Sequence, residues 1–210
     1  MVQNQYESVT SQVVPLMPRI KEFDPELARE RAMGLFWERG YEAASLRDLL
    51  SAMGISRQSL YNTFGDKRRL FLSVLDLYAE QVGRLIDDSI GSDSASIDEL
   101  HGFMQYYWAQ VVHDHGACMM AIAALELGLR DDEVSAKVQA YLFGLETAFT
   151  RVLRNAKQLG ELRDDADPVA LARYLTNCLM GLSVLGRGAR TTSRAAVRQL
   201  ITTTLSILDG

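Results

Sequence analysis

SLRDLLSAMGISRQSLYNTFGDKRRLF, residues 45–71, is the stretch whose reading decides the fold. Helix starts and stops are crowded together in it. Ser45, with Asp48 three positions later, has the form of a capping box. Leu46, Leu49, Leu50 and Met53 then put one apolar stripe on a helix of about two turns, which Gly54 stops. Ser56 is placed to cap a second short helix running to about Thr63 before Gly65, and Asp66 to cap a long third one. Two short helices joined by a tight glycine-containing turn, with another helix in front of them, form the helix-turn-helix pattern.

That preceding helix starts at Asp24, an N-cap, with Pro25 in the first helical position where a missing N–H costs nothing. Ala28, Ala32, Leu35 and Phe36 follow at helical spacing, and Gly40 is expected to end the run. Downstream, Leu70, Val74, Leu77, Tyr78, Val82 and Leu85 predict one helix to about Ile90 that links the two halves of the chain. Gly91 to Ser96 reads as a loop. Further helices are expected over 97–112, 118–129, 132–159, 168–187 and 193–208, with Asp167-Pro168 marking one start plainly. No stretch alternates like a strand and no segment repeats. The expectation is an all-α chain of about nine helices: an N-terminal arm (1–22), a helix-turn-helix DNA-binding domain (23–68), and a larger helical domain (69–210).

The 210 residues are 48% hydrophobic and 23% charged, which suits a globular protein able to bury one or two helical cores. No run approaches the roughly 20 apolar residues needed to span a bilayer, and no secretory leader is visible. A cytoplasmic protein with no membrane partner is expected. Cys118 and Cys178 match no disulfide framework or zinc pattern and read as free thiols. The net charge of -5 is unevenly spread: Arg19 to Arg69 holds ten Lys/Arg against eight Asp/Glu. Arg57, Lys67, Arg68 and Arg69, opposed only by Asp66, would supply a positive field for phosphates.

On a helix with Leu60 facing inward, steps of about 100° bring Phe64 to about 40°, while Gln58 and Asn62 fall at about 160° to 200°, facing out. Gln and Asn can each pair with adenine and Arg57 with guanine, while Tyr61 and Ser59 on the flanks suit phosphates. With these residues in place, SLRDLLSAMGISRQSLYNTFGDKRRLF resembles the DNA-binding domain of the TetR/AcrR family of transcriptional regulators. Gly54-Ile55-Ser56, Leu60-Tyr61, Phe64 and Lys67 carry the likeness, which extends from about Phe23 to Arg84. The resemblance implies phosphate contacts from Ser45, Tyr61 and Lys67, base reading by Arg57 and Gln58, and a homodimeric repressor on a near-palindromic double-stranded operator, released by a small-molecule effector. Arg47 and Ser56 join the candidate DNA-binding residues. A position usually occupied by His is Thr63 here, and the arm before Phe23 has only Arg19 and Lys21 as basic residues.

In the C-terminal half, Phe103, Tyr107, Ile122, Tyr141 and Tyr174, with Cys118 and Cys178, are candidates for lining a pocket between helices. Tyr106, Trp108, Phe143 and Phe149 are further aromatics at helical spacing. His113-Asp114-His115-Gly116-Ala117-Cys118 admits three readings. Cys118 at a helix start could be a sensor of oxidants or electrophiles, the two histidines and the thiol could hold zinc or copper, or the cysteine could simply pack. Asp131-Asp132-Glu133 reads as a helix N-terminus favoured by its dipole, since no base, nucleophile or phosphate loop accompanies it. No cofactor is expected, and an all-α metal-dependent enzyme is the rival class. Leu171, Leu175, Leu179, Leu182 and Leu185, then Val197, Leu200, Ile201, Leu205 and Ile207, form stripes beyond the needs of one small core, and the resemblance implies a four-helix dimer interface from these two helices of each protomer.

Overall fold

The computed structural model describes residues 23–110, 117–188 and 194–208. Among the described residues there are nine helices and no strand: α1 (Pro25–Ala43), α2 (Leu46–Met53), α3 (Arg57–Phe64), α4 (Lys67–Ile90), α5 (Ile97–Gln110), α6 (Met119–Leu127), α7 (Asp132–Gln158), α8 (Pro168–Gly188) and α9 (Arg194–Leu205). None of them is long and apolar enough to cross a membrane.

The helix boundaries follow local chemistry. The side chains of Asp24, Ser45, Ser56, Asp66 and Asp131 each accept a backbone N–H from the first turn of the helix they precede, removing orphan donors at five starts. Gly54 closes α2 in the left-handed conformation and donates its N–H to Leu50 O, which gives the sharp turn into α3.

One expectation changes. Gly40 has φ 80° and ψ 175°, so it breaks the helical path as its composition suggests, but α1 resumes and runs on to Ala43. The resumed turn has outside help. Glu126 of α6 accepts the N–H groups of Tyr41 at 2.6 Å and Glu42 at 3.3 Å, capping the new start as an N-cap side chain would.

α1 packs on α2 and α4, and α3 on α4, around Ala28, Ala32, Phe36, Leu49, Met53, Leu60, Leu70 and Phe71. Phe36 meets Phe71 edge-on at 5.0 Å. α4, about 36 Å long at 1.5 Å per residue, leaves this core and also packs against α5 and α7. α7 lies against α6 and α8. Among the described residues, apolar side chains of both halves, from Ala28 to Leu208, are buried in one cluster.

Candidate nucleic-acid interface and internal site

α3 presents the expected face. Leu60 is fully buried and Phe64 packs against the core, whereas Arg57, Gln58, Tyr61 and Asn62 are exposed and Ser59 is half-buried. The Arg57 guanidinium carbon lies 5.7 Å from the Tyr61 ring centre, which holds a cation beside a phenol on the outward surface. Ser45, Arg47 and Ser56 are exposed at the helix starts.

Two serine hydroxyls are already engaged. Ser45 Oγ accepts from Asp48 N–H and donates to Asp48 Oδ2 at 2.7 Å, and that bond is the main reason the Asp48 carboxyl sits below its usual range. A phosphate at α2 is therefore met most directly by the free N–H groups of the first turn. Ser56 Oγ caps Ser59 N–H and shares a hydrogen bond with Ser59 Oγ.

The basic cluster is less available than its sequence implies. Arg68 gives a two-point contact to Asp131, with Nε at 2.6 Å and Nη2 at 2.8 Å, and reaches Glu133 at 2.6 Å. Its charge is neutralised by the acidic start of α7, and Arg69 lies 3.9 Å from the Asp66 carboxylate, so the unopposed charge of this cluster reduces to Arg57 and Lys67. The ammonium of Lys67 lies 4.4 Å from the Tyr41 ring centre, and burial there pulls its pKa down.

In the C-terminal half, Tyr107 and Tyr141 come together with Cys118 and with Tyr78, which the sequence offered only as part of an apolar stripe. All four are buried. Tyr78 donates to Cys118 Sγ at 3.2 Å, and the thiol donates to the Tyr141 hydroxyl at 3.8 Å. Tyr107 lies 3.1 Å from the Tyr78 hydroxyl and 3.0 Å from that of Tyr141. One direction satisfies every group: Cys118 to Tyr141, Tyr141 to Tyr107, Tyr107 to Tyr78, Tyr78 to Cys118. The closed ring joins α4, α5, the N-cap of α6 and α7, and leaves no donor or acceptor orphaned in an apolar surround. Burial pushes all three phenols well above their ordinary range.

Phe103 stacks on Tyr107 at 5.7 Å and Ile122 is buried on α6. Tyr174 and Cys178 do not join this group. They lie near one another on α8, hydrogen-bonded, with Tyr174 41% exposed, and Tyr174 borders a second hollow between the start of α8 and Leu208. Phe149 is core, while Tyr106 and Phe143 are exposed. His113, Asp114 and His115 lie outside the described residues. Among the described residues no three His, Cys, Asp or Glu side chains are grouped to hold a metal, and both cysteines are free thiols.

Beside the ring, a cavity of about 270 Å³ opens between α4 and α7. Val82, Ile86, Met120, Tyr141 and Leu145 line it together with the ion pair of Lys137 and Asp76.

These features match known proteins throughout. Residues 29–74 match the model for bacterial regulatory proteins of the tetR family, and residues 96–201 that for the tetracyclin repressor-like C-terminal domain. The chain is 35% identical to the uncharacterized HTH-type transcriptional regulator YezE of Bacillus subtilis, over 92% of this chain and 100% of that one. It is 27% identical to the HTH-type transcriptional repressor ComR of Escherichia coli, over 80% of this chain and 82% of the relative. Among solved structures it is similar to a cysteine mutant of the TetR family regulator CifR complexed with 26 bp operator DNA, with a TM-score of 0.75 and 30% identity over 91% of this chain and 97% of that one. With both halves accounted for, the chain belongs to the TetR family of bacterial regulatory proteins.

Proposed function

We propose that the protein is a cytoplasmic, non-enzymatic transcriptional repressor that binds a near-palindromic operator as a homodimer and lets go when a small molecule occupies its C-terminal half. The observation that carries this reading is the outward face of α3, where Gln58, Asn62, Arg57 and Tyr61 stand exposed on a helix capped at Ser56 and anchored by buried Leu60. Gln58 and Arg57 read bases, and Tyr61, Lys67 and the start of α2 with Ser45 and Arg47 hold phosphates. Relatives named as repressors and the operator complex of CifR support the same assignment. Tyr174, Val184, Leu200 and Ile207 are apolar side chains on or just after α8 and α9 that remain 41–43% exposed, a surface suited to a symmetric partner. Two recognition helices then stand about 34–36 Å apart, one turn of DNA.

The residue range 23–68 is the DNA-reading unit in this proposal, and 69–210 the regulatory one. Cys118 acts in it as a packing and hydrogen-bonding group: it is fully buried and its described partners are phenols, whereas reactive thiols sit in exposed, electropositive surroundings.

The test is a gel-shift with the purified protein and the DNA upstream of its own gene at moderate salt. A sequence-specific shift that is weakened in Gln58→Ala is expected; no shift would reject the proposal. Reporter output that falls in a deletion strain would make the protein an activator.

A further inference from the structure

We infer that Arg39 is a positioning residue for DNA binding: it cancels the charge of Asp48 at the start of α2, so that the backbone N–H groups there stay open to a phosphate. The inference rests on the phosphate-holding role proposed above for that helix start. A conflict between fold and function arises at one residue. Asp48 stands in the first turn of α2, where its carboxylate accepts Ser45 Oγ at 2.7 Å and favours the helix through the dipole. To a phosphate approaching the same turn, that carboxylate is a like charge at short range. The Ser45 bond, with Arg39 adding to it, holds the carboxyl below its usual range, so it is ionised at neutral pH.

Arg39 answers that charge from another helix. It is the last residue of α1 before the Gly40 break, and its Nη1 lies 2.9 Å from Asp48 Oδ2, the same oxygen that accepts Ser45. Guanidinium and hydroxyl thus converge on one atom at the start of α2. The two charged side chains are 43% and 38% exposed, and so open a pair contributes little to the fold. Its effect on an approaching polyanion needs no burial. To a phosphate a few ångströms away the paired charges are nearly neutral, whereas Asp48 alone would repel it. Arg47 acts on the same carboxyl more weakly than Arg39 does. Because the cancelled charge bears on the DNA backbone and not on base edges, its effect is the same on every sequence.

Four forms of the full chain test this: the parent, Arg39→Gln, Asp48→Asn, and the two changes combined. Binding to the DNA upstream of its own gene, and to an unrelated duplex of equal length, is measured by fluorescence anisotropy at several salt concentrations, with melting temperatures alongside. Arg39→Gln leaves Asp48 uncancelled and is expected to weaken both DNAs about fivefold, with the dependence on log salt falling by about one ion per protomer. Asp48→Asn keeps an acceptor for Ser45 and releases Arg39, so both DNAs are expected to bind at least about twofold tighter, with a steeper slope. The double variant restores the neutral sum and is expected to return to within about threefold of the parent. A pair that served the fold alone would give another pattern: both single variants bind more weakly, with lower melting temperatures and the salt slope of the parent. That pattern, or parent-like binding by Arg39→Gln, overturns the inference and leaves the reading of α3 standing. A parent protein that binds neither DNA overturns both.

Discussion

At the scale of single residues, α3 divides its polar side chains between reading and holding. Gln58 is exposed opposite buried Leu60, where a carboxamide can make two hydrogen bonds to one adenine. Gln58→Ala is expected to cost about 1–3 kcal/mol in operator binding and to relax base preference at one position. Tyr61→Phe removes a hydroxyl suited to phosphate and should weaken all sequences alike; both effects are read by competition titrations with single-base operator variants. Gly40 carries a different burden. Its φ of 80° and ψ of 175° lie in a region open essentially to glycine, and a Cβ there would collide with Glu126 Oε1. Gly40→Ala should destabilise the protein by about 1–3 kcal/mol or more, measured by urea unfolding, because strain and loss of the Glu126 cap act together. The glycine was legible as a break. What could not be read was its partner, 86 positions away in α6, since nothing local to Glu126 distinguishes it from any exposed glutamate.

Among elements, the same division between local and distant chemistry explains what sequence could supply. Caps at Asp24, Ser45, Ser56, Asp66 and Asp131 act within three residues of themselves, so spacing alone foretold the helix starts, and with them the helix-turn-helix. Tyr78 shows the opposite case. It falls in the apolar stripe of α4, and only the packing of α4, α5, α6 and α7 brings its hydroxyl to Cys118 and Tyr107. Burial raises the three phenols of that ring, and the sign of the consequence follows. Each contributes stability that is complete below the unfolded tyrosine value of about 10 and is lost as pH rises beyond it. Tyrosinate absorbance is expected to appear in two stages on raising pH, with three of the eight tyrosines titrating only as the helical circular dichroism collapses. Tyr141→Phe, which leaves Cys118 without its acceptor and Tyr107 without its donor, should cost about 1–3 kcal/mol and shift that collapse to lower pH. A single smooth titration of all eight in the folded protein would show that the ring does not hold.

For the whole molecule, the question is how a ligand in the second half could reach DNA held by the first. Besides the shared core, α1 is clasped to α6 by Glu126 and by Trp37, whose indole N–H donates to Ala117 O at 2.5 Å, next to the N-cap Cys118. Trp37 also meets Tyr78 edge-on at 5.1 Å, so the ring, α6 and α1 form one contiguous path. The second clasp is Arg68 on Asp131 and Glu133. Sequence placed Arg68 in a basic cluster and Asp131 at a helix start; each reading was sound locally, and neither could show that the two cancel across 63 positions. Arg68 is the main reason that the Asp131 carboxyl titrates at about 2, below its usual 3.8. A depressed carboxylate stabilises the fold above its unfolded value and loses that contribution as pH falls. Asp131→Asn should therefore lower the melting temperature at neutral pH, with the difference from the parent shrinking below pH 4 and vanishing only below pH 2. Arg68→Met should do the same, and the double variant should lose less than the two singles combined. The clasp also withholds a cation from DNA. Asp131→Asn with Glu133→Gln frees the guanidinium, and the dependence of DNA binding on log salt should steepen by about one ion, most visibly on non-operator sequences. A salt slope that stays fixed while stability falls would assign Arg68 to the fold alone.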